Sequence, residues 1–143
     1  MADNIPVESR AKAMRAVKGR KTSLERRLRG ELARLGLRGW RMNDDSVGGE
    51  PDFTFAREKV AAFVNGCFWH GCRRCKRPMP ATNRPYWAKK IRGNVTRDRR
   101  NAASLRRNGW RVIRIWEHEI RTSAGLQMAA AKIATALLLD RGS

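Results

Sequence analysis

The sequence is poor in negative charge and has no long apolar run. Asp and Glu total 13 against 32 Lys and Arg, which gives a net charge of +19 over 143 residues. The sequence contains no stretch of about 18 apolar residues, the length needed to cross a bilayer, and residues 1–6 lack the apolar core of a signal peptide. We therefore expect a cytoplasmic protein with a polyanionic partner and no membrane association. Charge alone does not separate DNA from RNA, so an RNA-binding protein stays open at this point.

Cysteine and histidine are also scarce, and their positions are informative. Cys67, Cys72 and Cys75 form the pattern C-x4-C-x2-C. An odd, clustered set is poor material for disulfides in a reducing compartment but suits a tetrahedral Zn²⁺. We take His118, which follows a predicted strand, as the fourth ligand, and His70 is the alternative. A redox pair formed by Cys72 and Cys75 is the other interpretation, although no thioredoxin-like context surrounds it.

The spacing of apolar residues predicts an α/β fold in one domain. Residues 1–20 are basic without a continuous apolar pattern, so we expect an arm there, followed by a single domain over residues 21–143. The predicted elements are a helix over 22–36, strands over 51–55 and 60–64, a helix over 83–108, a strand over 110–116 and a helix over 126–139. This order implies a central mixed β-sheet flanked by helices, with Trp110 and Trp116 in the core.

A second group of polar residues could hydrolyse a phosphodiester. Asp52, at the start of a strand, could bind Mg²⁺, and the end of the neighbouring strand, at Val64 and Asn65, could offer a main-chain carbonyl and an amide oxygen. Glu25 could orient a water molecule, and His70 could accept its proton. Simpler roles stay open: Glu25 could complete a capping box with Thr22, Asn65 could bond at a strand end, Asp52 could be a turn acid, and His70 could bind zinc or phosphate.

Several separated motifs, in order, resemble those of the very short patch repair (Vsr-type) DNA mismatch endonucleases. The match runs from about residue 14 to residue 119. Its most specific parts are Gly66-Cys67-Phe68-Trp69-His70-Gly71-Cys72, Tyr86-Trp87, Lys90-Ile91, Asn94, Arg97-Asp98, Gly109-Trp110-Arg111-Val112 and Trp116-Glu117-His118-Glu119.

The resemblance implies a restriction-endonuclease-like fold with a structural zinc site. It also implies Mg²⁺-dependent nicking of one strand beside a T:G mismatch, which arises when 5-methylcytosine deaminates. The implied partner is double-stranded DNA with a mismatch, and a functional link to a cytosine-5 DNA methyltransferase is expected. A monomer suffices for nicking, and a nucleoid-associated location in the cytoplasm follows from the substrate.

The resemblance also implies a role for each matching residue. Asp52 corresponds to the central metal ligand, Val64 to a carbonyl ligand and His70 to the general base, with Glu25 and Asn65 around them. Cys67, Cys72, Cys75 and His118 match the zinc positions. The residues expected to press on or insert into DNA are Phe68, Trp69 and Trp87 on one groove, and Met14 and Val17 from the arm on the other.

Two positions depart from the family pattern. Threonine often stands where this chain has Val64, and histidine or aspartate where it has Asn65. A main-chain ligand survives the first change, but asparagine cannot act as a base, so the second places more weight on His70. The alternatives are a nuclease of the same fold with a different DNA target and a non-catalytic zinc-bearing DNA-binding module.

Overall fold

The structure is a computed structural model, and helix α1 is the first element that it describes. The described residues are 23–44, 46–67, 72, 75 and 83–141, with side chains described as far as residue 139. Helix α1 covers residues 23–34, and Leu24, Leu28 and Leu32 are buried along one side, as their spacing predicts. Leu35, expected on the same stripe, is 43% exposed because it lies in the turn after the helix, before Gly36 at φ +79°.

A four-stranded mixed sheet forms the centre of the described chain. Its strands are β1 (Arg41–Met42), β2 (Phe53–Phe55), β3 (Val60–Asn65) and β4 (Arg111–Trp116), in that spatial order. β2 pairs antiparallel with β1 and with β3, whereas β3 and β4 run parallel. The predicted α/β class and the mixed sheet are therefore confirmed. β1, which has only two residues, was not predicted.

Two long helices complete the predicted order. α2 (Arg84–Arg107) connects the parallel strands β3 and β4, and it ends before Gly109 at φ +87°. A short 3₁₀ helix (Glu117–Ile120) follows β4, and α3 (Ser123–Arg141) begins three residues before the predicted start. No helix within the described ranges is both long enough and apolar enough to cross a membrane.

The main core lies between the sheet and the helices α1 and α3. It joins apolar residues of α1, β2, β3, β4, the 3₁₀ helix and α3 in one buried cluster: Leu24, Leu28, Leu32, Phe53, Phe55, Val60, Ala62, Val64, Ile113, Ile115, Ile120, Ala129, Ala130, Ile133, Ala136 and Leu137. Helix α2 also packs against β4, but its buried residues are outside this cluster, which places α2 on the other face of the sheet. Trp110 and Trp116, expected in the core, are only half-buried and lie at the two ends of β4.

Candidate metal and nuclease sites

Asp52 is a buried carboxylate immediately before β2. It is 2% exposed, and its Oδ2 accepts a hydrogen bond of 2.6 Å from the main-chain N–H of Val64. Phe53 pairs with Ala62, so the same register places Asp52 opposite Phe63. Because side chains alternate along a strand, Asp52 and Asn65 point to the same face of the sheet. The fold thus brings Asp52, the main chain of Val64 and the side chain of Asn65 together.

Two buried polar side-chain atoms without hydrogen-bond partners among the described residues lie on the same face of the sheet as Asp52. Asn65, the last residue of β3, is 4% exposed, and within the described residues its Nδ2 has no hydrogen-bond partner. The same is true of the Oγ1 of Thr54, which is two residues from Asp52 and on the same face. Unsatisfied buried groups of this kind are rare and are found where water or a ligand binds. Thr54 was not predicted, because a threonine inside a strand has no distinctive sequence pattern.

Glu25 is a second buried carboxylate, on α1. It is 7% exposed, and the neighbouring Leu24 on the same helix belongs to the main core. Its side chain is therefore directed into the molecule and not into solvent. Thr22, with which it could form a capping box, lies outside the described residues. His70, the expected proton acceptor, also lies outside them, so the role of each stays a prediction.

Cys67, Cys72, Cys75 and His118 converge at one end of the sheet. The Nδ1 of His118 lies 3.3, 3.5 and 3.4 Å from the Sγ atoms of the three cysteines, in that order. All four ligand atoms lie within 4.8 Å of one another. A tetrahedral zinc with ordinary bond lengths would separate sulfur and nitrogen by about 3.6 Å, so the donor set and its spacing fit a structural metal.

Parallel strand pairing explains this convergence. Cys67 follows the end of β3 by two residues, and His118 follows the end of β4 by two residues. Since β3 and β4 are parallel neighbours, with Asn65 opposite Trp116, both segments emerge at the same edge. The main-chain N–H of Cys72 donates a hydrogen bond of 2.9 Å to the carbonyl of Cys67, which holds these two residues close together.

The pKa of the Cys67 thiol is raised by its surroundings. Burial raises its pKa to about 12, so without a bound cation the thiol stays protonated near neutral pH. Binding a metal ion would replace that proton and stabilise the thiolate. A donor set of three sulfurs and one imidazole is typical of structural zinc sites.

Glu117 is a buried residue that contacts the cysteine–histidine cluster. It is 6% exposed, and its Oε1 accepts a hydrogen bond of 3.3 Å from the main-chain N–H of Cys67. Its Oε2 forms an ion pair of 3.2 Å with Arg121. Sequence reasoning assigned no role to Glu117, although it lies in the Trp116–Glu119 motif that supports the family resemblance.

Comparison with known proteins shows the family of the chain. Residues 2–77, just over half of the chain, match the family described as DNA mismatch endonuclease Vsr. The chain is also 40% identical over 121 residues to the DNA mismatch endonuclease Vsr of Escherichia coli (strain K12), a match that covers 85% of this chain and 77% of that protein. The chain belongs to the Vsr family.

Other relatives of this Vsr family member are named as nicking enzymes. The type II nicking enzyme V.NaeI of Lentzea aerocolonigenes is 44% identical over 115 residues, which cover 77% of this chain and 68% of that enzyme. The type II nicking enzyme V.XorIIP of Xanthomonas oryzae pv. oryzae (strain KACC10331 / KXO85) is 35% identical over 129 residues, which cover 89% of this chain and 93% of that enzyme. The resemblance inferred from the motifs is confirmed, and with it the restriction-endonuclease-like fold.

The residues expected to contact DNA in this Vsr family member are mostly outside the described ranges. Met14, Val17, Phe68 and Trp69 lie there, as does the whole arm of residues 1–20. Trp87 is described, in the first turn of α2, and it is only 8% exposed. Its ring meets Tyr86 edge-on, with centroids 5.0 Å apart. In this conformation Trp87 presents little surface to a DNA base, so insertion would require the ring to become exposed.

Positive charge covers the exposed surface of α2. Asp98 is the one acidic residue among its 24 positions. The exposed basic residues of this helix are Arg84, Lys89, Lys90, Arg92, Arg97, Arg99, Arg100, Arg106 and Arg107. Such a surface attracts the phosphate backbone of nucleic acid at any sequence.

Proposed function

We propose that the protein nicks one strand of double-stranded DNA next to a T:G mismatch in a Mg²⁺-dependent reaction. As a member of the Vsr family, the chain is a DNA endonuclease, a hydrolase of phosphodiester bonds. The observation that carries the proposal is the buried carboxylate of Asp52, held by the N–H of Val64 on the same sheet face as Asn65. A carboxylate in this position can bind a divalent ion beside a scissile phosphate.

The chemistry follows from the residues around Asp52. Bound Mg²⁺ would neutralise the charge of the phosphate and lower the pKa of an attacking water. The carboxylate of Asp52 and the main-chain carbonyl of Val64 are the oxygen ligands that we assign to it. Glu25 would orient the water, and His70 would accept its proton, because Asn65 offers only an amide that cannot titrate.

We assign a structural Zn²⁺ to the cysteine–histidine cluster. Its ligands would be Cys67, Cys72, Cys75 and His118, whose donor atoms already lie within 4.8 Å of one another. Zinc at a closed four-ligand site contributes to folding and not to chemistry. Its place at the edge of the sheet, two residues beyond Asn65, would fix the loop that contains Phe68, Trp69 and His70 relative to Asp52.

We assign DNA recognition to two groups of residues, which would contact the duplex from opposite grooves. Phe68, Trp69 and Trp87 would insert beside the mismatch, and Met14 and Val17 on the arm of residues 1–20 would press from the other groove. Unstacking costs less at a mismatch than in paired DNA, so insertion itself favours mismatched sites. Residues 21–143 would form the single endonuclease domain.

The cellular setting follows from the proposed reaction. A T:G mismatch produced by deamination of 5-methylcytosine links the enzyme functionally to a cytosine-5 DNA methyltransferase. The enzyme would act as a monomer on the cytoplasmic nucleoid, since one nick needs one active site.

A panel of labelled duplexes tests the proposal. Each single mismatch and the matched T:A and C:G duplexes would be incubated with the protein in Mg²⁺ or in chelator, with each strand labelled separately. We expect a nick in the thymine strand of T:G duplexes only, and only with Mg²⁺. Glu58→Gln, in the turn between β2 and β3, is the control that should nick like the wild type.

Three other results would contradict the proposal in whole or in part. Equal nicking of matched and mismatched duplexes would indicate a nuclease of the same fold with another DNA target. Tight binding without cleavage of any duplex would indicate a non-catalytic zinc-bearing DNA-binding module. A thymine-strand nick that persists in chelator would remove the Mg²⁺ requirement.

A further inference from the structure

Glu117 connects two chain segments that carry candidate metal ligands. It is the first residue of the 3₁₀ helix after β4 and the immediate neighbour of His118. Its Oε1 accepts the N–H of Cys67 at 3.3 Å, across 50 positions of sequence. We propose that Glu117 is a positioning residue for the cysteine–histidine centre, where it holds the Cys67 segment against the His118 segment.

The surroundings of Glu117 indicate a specific role for its carboxylate. The residue is 6% exposed, and burial of a charged carboxylate costs several kcal/mol unless hydrogen bonds and an opposite charge offset it. The N–H of Cys67 and the guanidinium of Arg121 both supply such contacts. Replacing a buried ion pair with apolar side chains of similar volume is often neutral or stabilising, so filling space does not by itself account for a carboxylate here.

The hydrogen bond acts on the geometry of the ligand atoms. Fixing the N–H of Cys67 to the residue before His118 limits the positions that the Cys67 Sγ can take relative to the ring. The hydrogen bond between Glu117 and the Cys67 N–H would thus maintain the separation of 3.3 Å between the Cys67 Sγ and the His118 Nδ1. Groups that orient metal ligands in this way commonly change metal affinity by about 10- to 100-fold when they are removed.

Glu119 offers a matched comparison in the same 3₁₀ helix. Its Oε1 accepts the N–H of Trp116 at 3.3 Å, and its Oε2 lies 3.7 Å from the Nζ of Lys132. Like Glu117, it bonds one main-chain N–H and one basic side chain. These contacts lie within its own turn and to α3, not to Cys67, and its side chain is 29% exposed. Loss of Glu119 therefore perturbs the turn without freeing Cys67.

Cobalt binding to the full-length protein tests the inference, which depends on the proposed metal centre but not on nuclease activity. Metal-free wild type, Glu117→Ala, Glu117→Gln and Glu119→Ala would be titrated with Co²⁺, and the thiolate-to-cobalt absorption would be recorded. We expect Glu117→Ala to bind Co²⁺ about 10- to 100-fold more weakly and with altered absorption bands. Glu117→Gln keeps an oxygen for the Cys67 N–H and should recover part of the affinity, while Glu119→Ala should bind like the wild type.

Circular dichroism of each variant decides whether it has folded. If Glu117→Ala does not fold, Glu117→Gln is measured in its place, and we expect it to show a smaller loss of Co²⁺ affinity and shifted absorption bands. Wild-type affinity and spectrum in every folded Glu117 variant would overturn the inference, as would an equal loss in Glu119→Ala. Failure of the wild type to bind Co²⁺ would overturn the metal centre and this inference together. Failure of the nicking assay, with cobalt binding as expected, would overturn only the proposed function.

Discussion

Two substitutions of Asp52 separate its charge from its hydrogen bond. The residue is 2% exposed, and its Oδ2 accepts the main-chain N–H of Val64 at 2.6 Å. Asp52→Asn keeps a side-chain oxygen for this bond and removes the charge. Asp52→Ala removes both, and it leaves a buried N–H without its acceptor.

The expected magnitudes differ for activity and stability. Both variants should lose nicking by about 100-fold or more, because charge stabilisation at a metal-dependent centre contributes several kcal/mol to the rate. An unsatisfied buried donor costs about 1–3 kcal/mol, which corresponds to roughly 3–9 °C in Tm for a chain of this size. Asp52→Ala should therefore unfold at a lower temperature than Asp52→Asn by about this margin.

Nicking of a T:G duplex and thermal unfolding followed by circular dichroism measure the two effects in the same preparations. Wild-type nicking by Asp52→Asn would refute the assignment of Asp52 as a metal ligand. Equal Tm values for the two variants would refute the claim that the bond to Val64 stabilises the hairpin of β2 and β3.

Further predictions concern packing and the metal. Gly125→Ala should lower Tm, because a Cβ there would lie 1.7 Å from the main-chain oxygen of Glu119. Gly30 is an exposed position of helix α1, and a Cβ there would meet nothing within 4 Å, so Gly30→Ala should stabilise the protein by up to about 1 kcal/mol. Ile133→Ala should lower the free energy of unfolding by about 2–5 kcal/mol, and Leu138→Ala, at a side chain that is 65% exposed, should change it by less than about 0.5 kcal/mol in urea titrations. Removing the metal from the cysteine–histidine centre with a strong chelator should lower Tm, and adding Zn²⁺ back should restore it. An unchanged Tm after metal analysis confirms removal would contradict a stabilising site.

The sequence predicted those elements that have a strong apolar pattern. α1, β3, α2 and β4 lie close to their predicted bounds, because burial on one face or on both leaves a period of 3.6 or a continuous apolar run. β1 has no such signal: Arg41 is exposed and Met42 half-buried, and the strand exists through its pairing with β2. Leu35 followed the helical period, but the helix ends before it, so spacing alone placed it wrongly.

The candidate sites were predicted less completely from the sequence than the helices and strands were. Cysteine spacing indicates a metal, and the expected end of a strand pointed to His118, but only the parallel register of β3 and β4 places their following segments together. The burial of Glu117 has no sequence signal, since a Glu after a strand is most often exposed. The unsatisfied Nδ2 of Asn65 is likewise a property of packing and not of residue type.

The shared edge of β3 and β4 explains why one fold could support both candidate sites. Within four positions, the end of β3 and the residues after it supply the Val64 main chain, Asn65 and Cys67. Glu117 and His118 directly follow the end of β4. Ordering the loop between β3 and α2 costs about 1–2 kcal/mol per residue in backbone entropy, and metal ligation at three of its positions would offset part of that cost. Loss of the metal should then affect nicking through the loop, while the bond between Asp52 and Val64, which lies within the sheet, should persist.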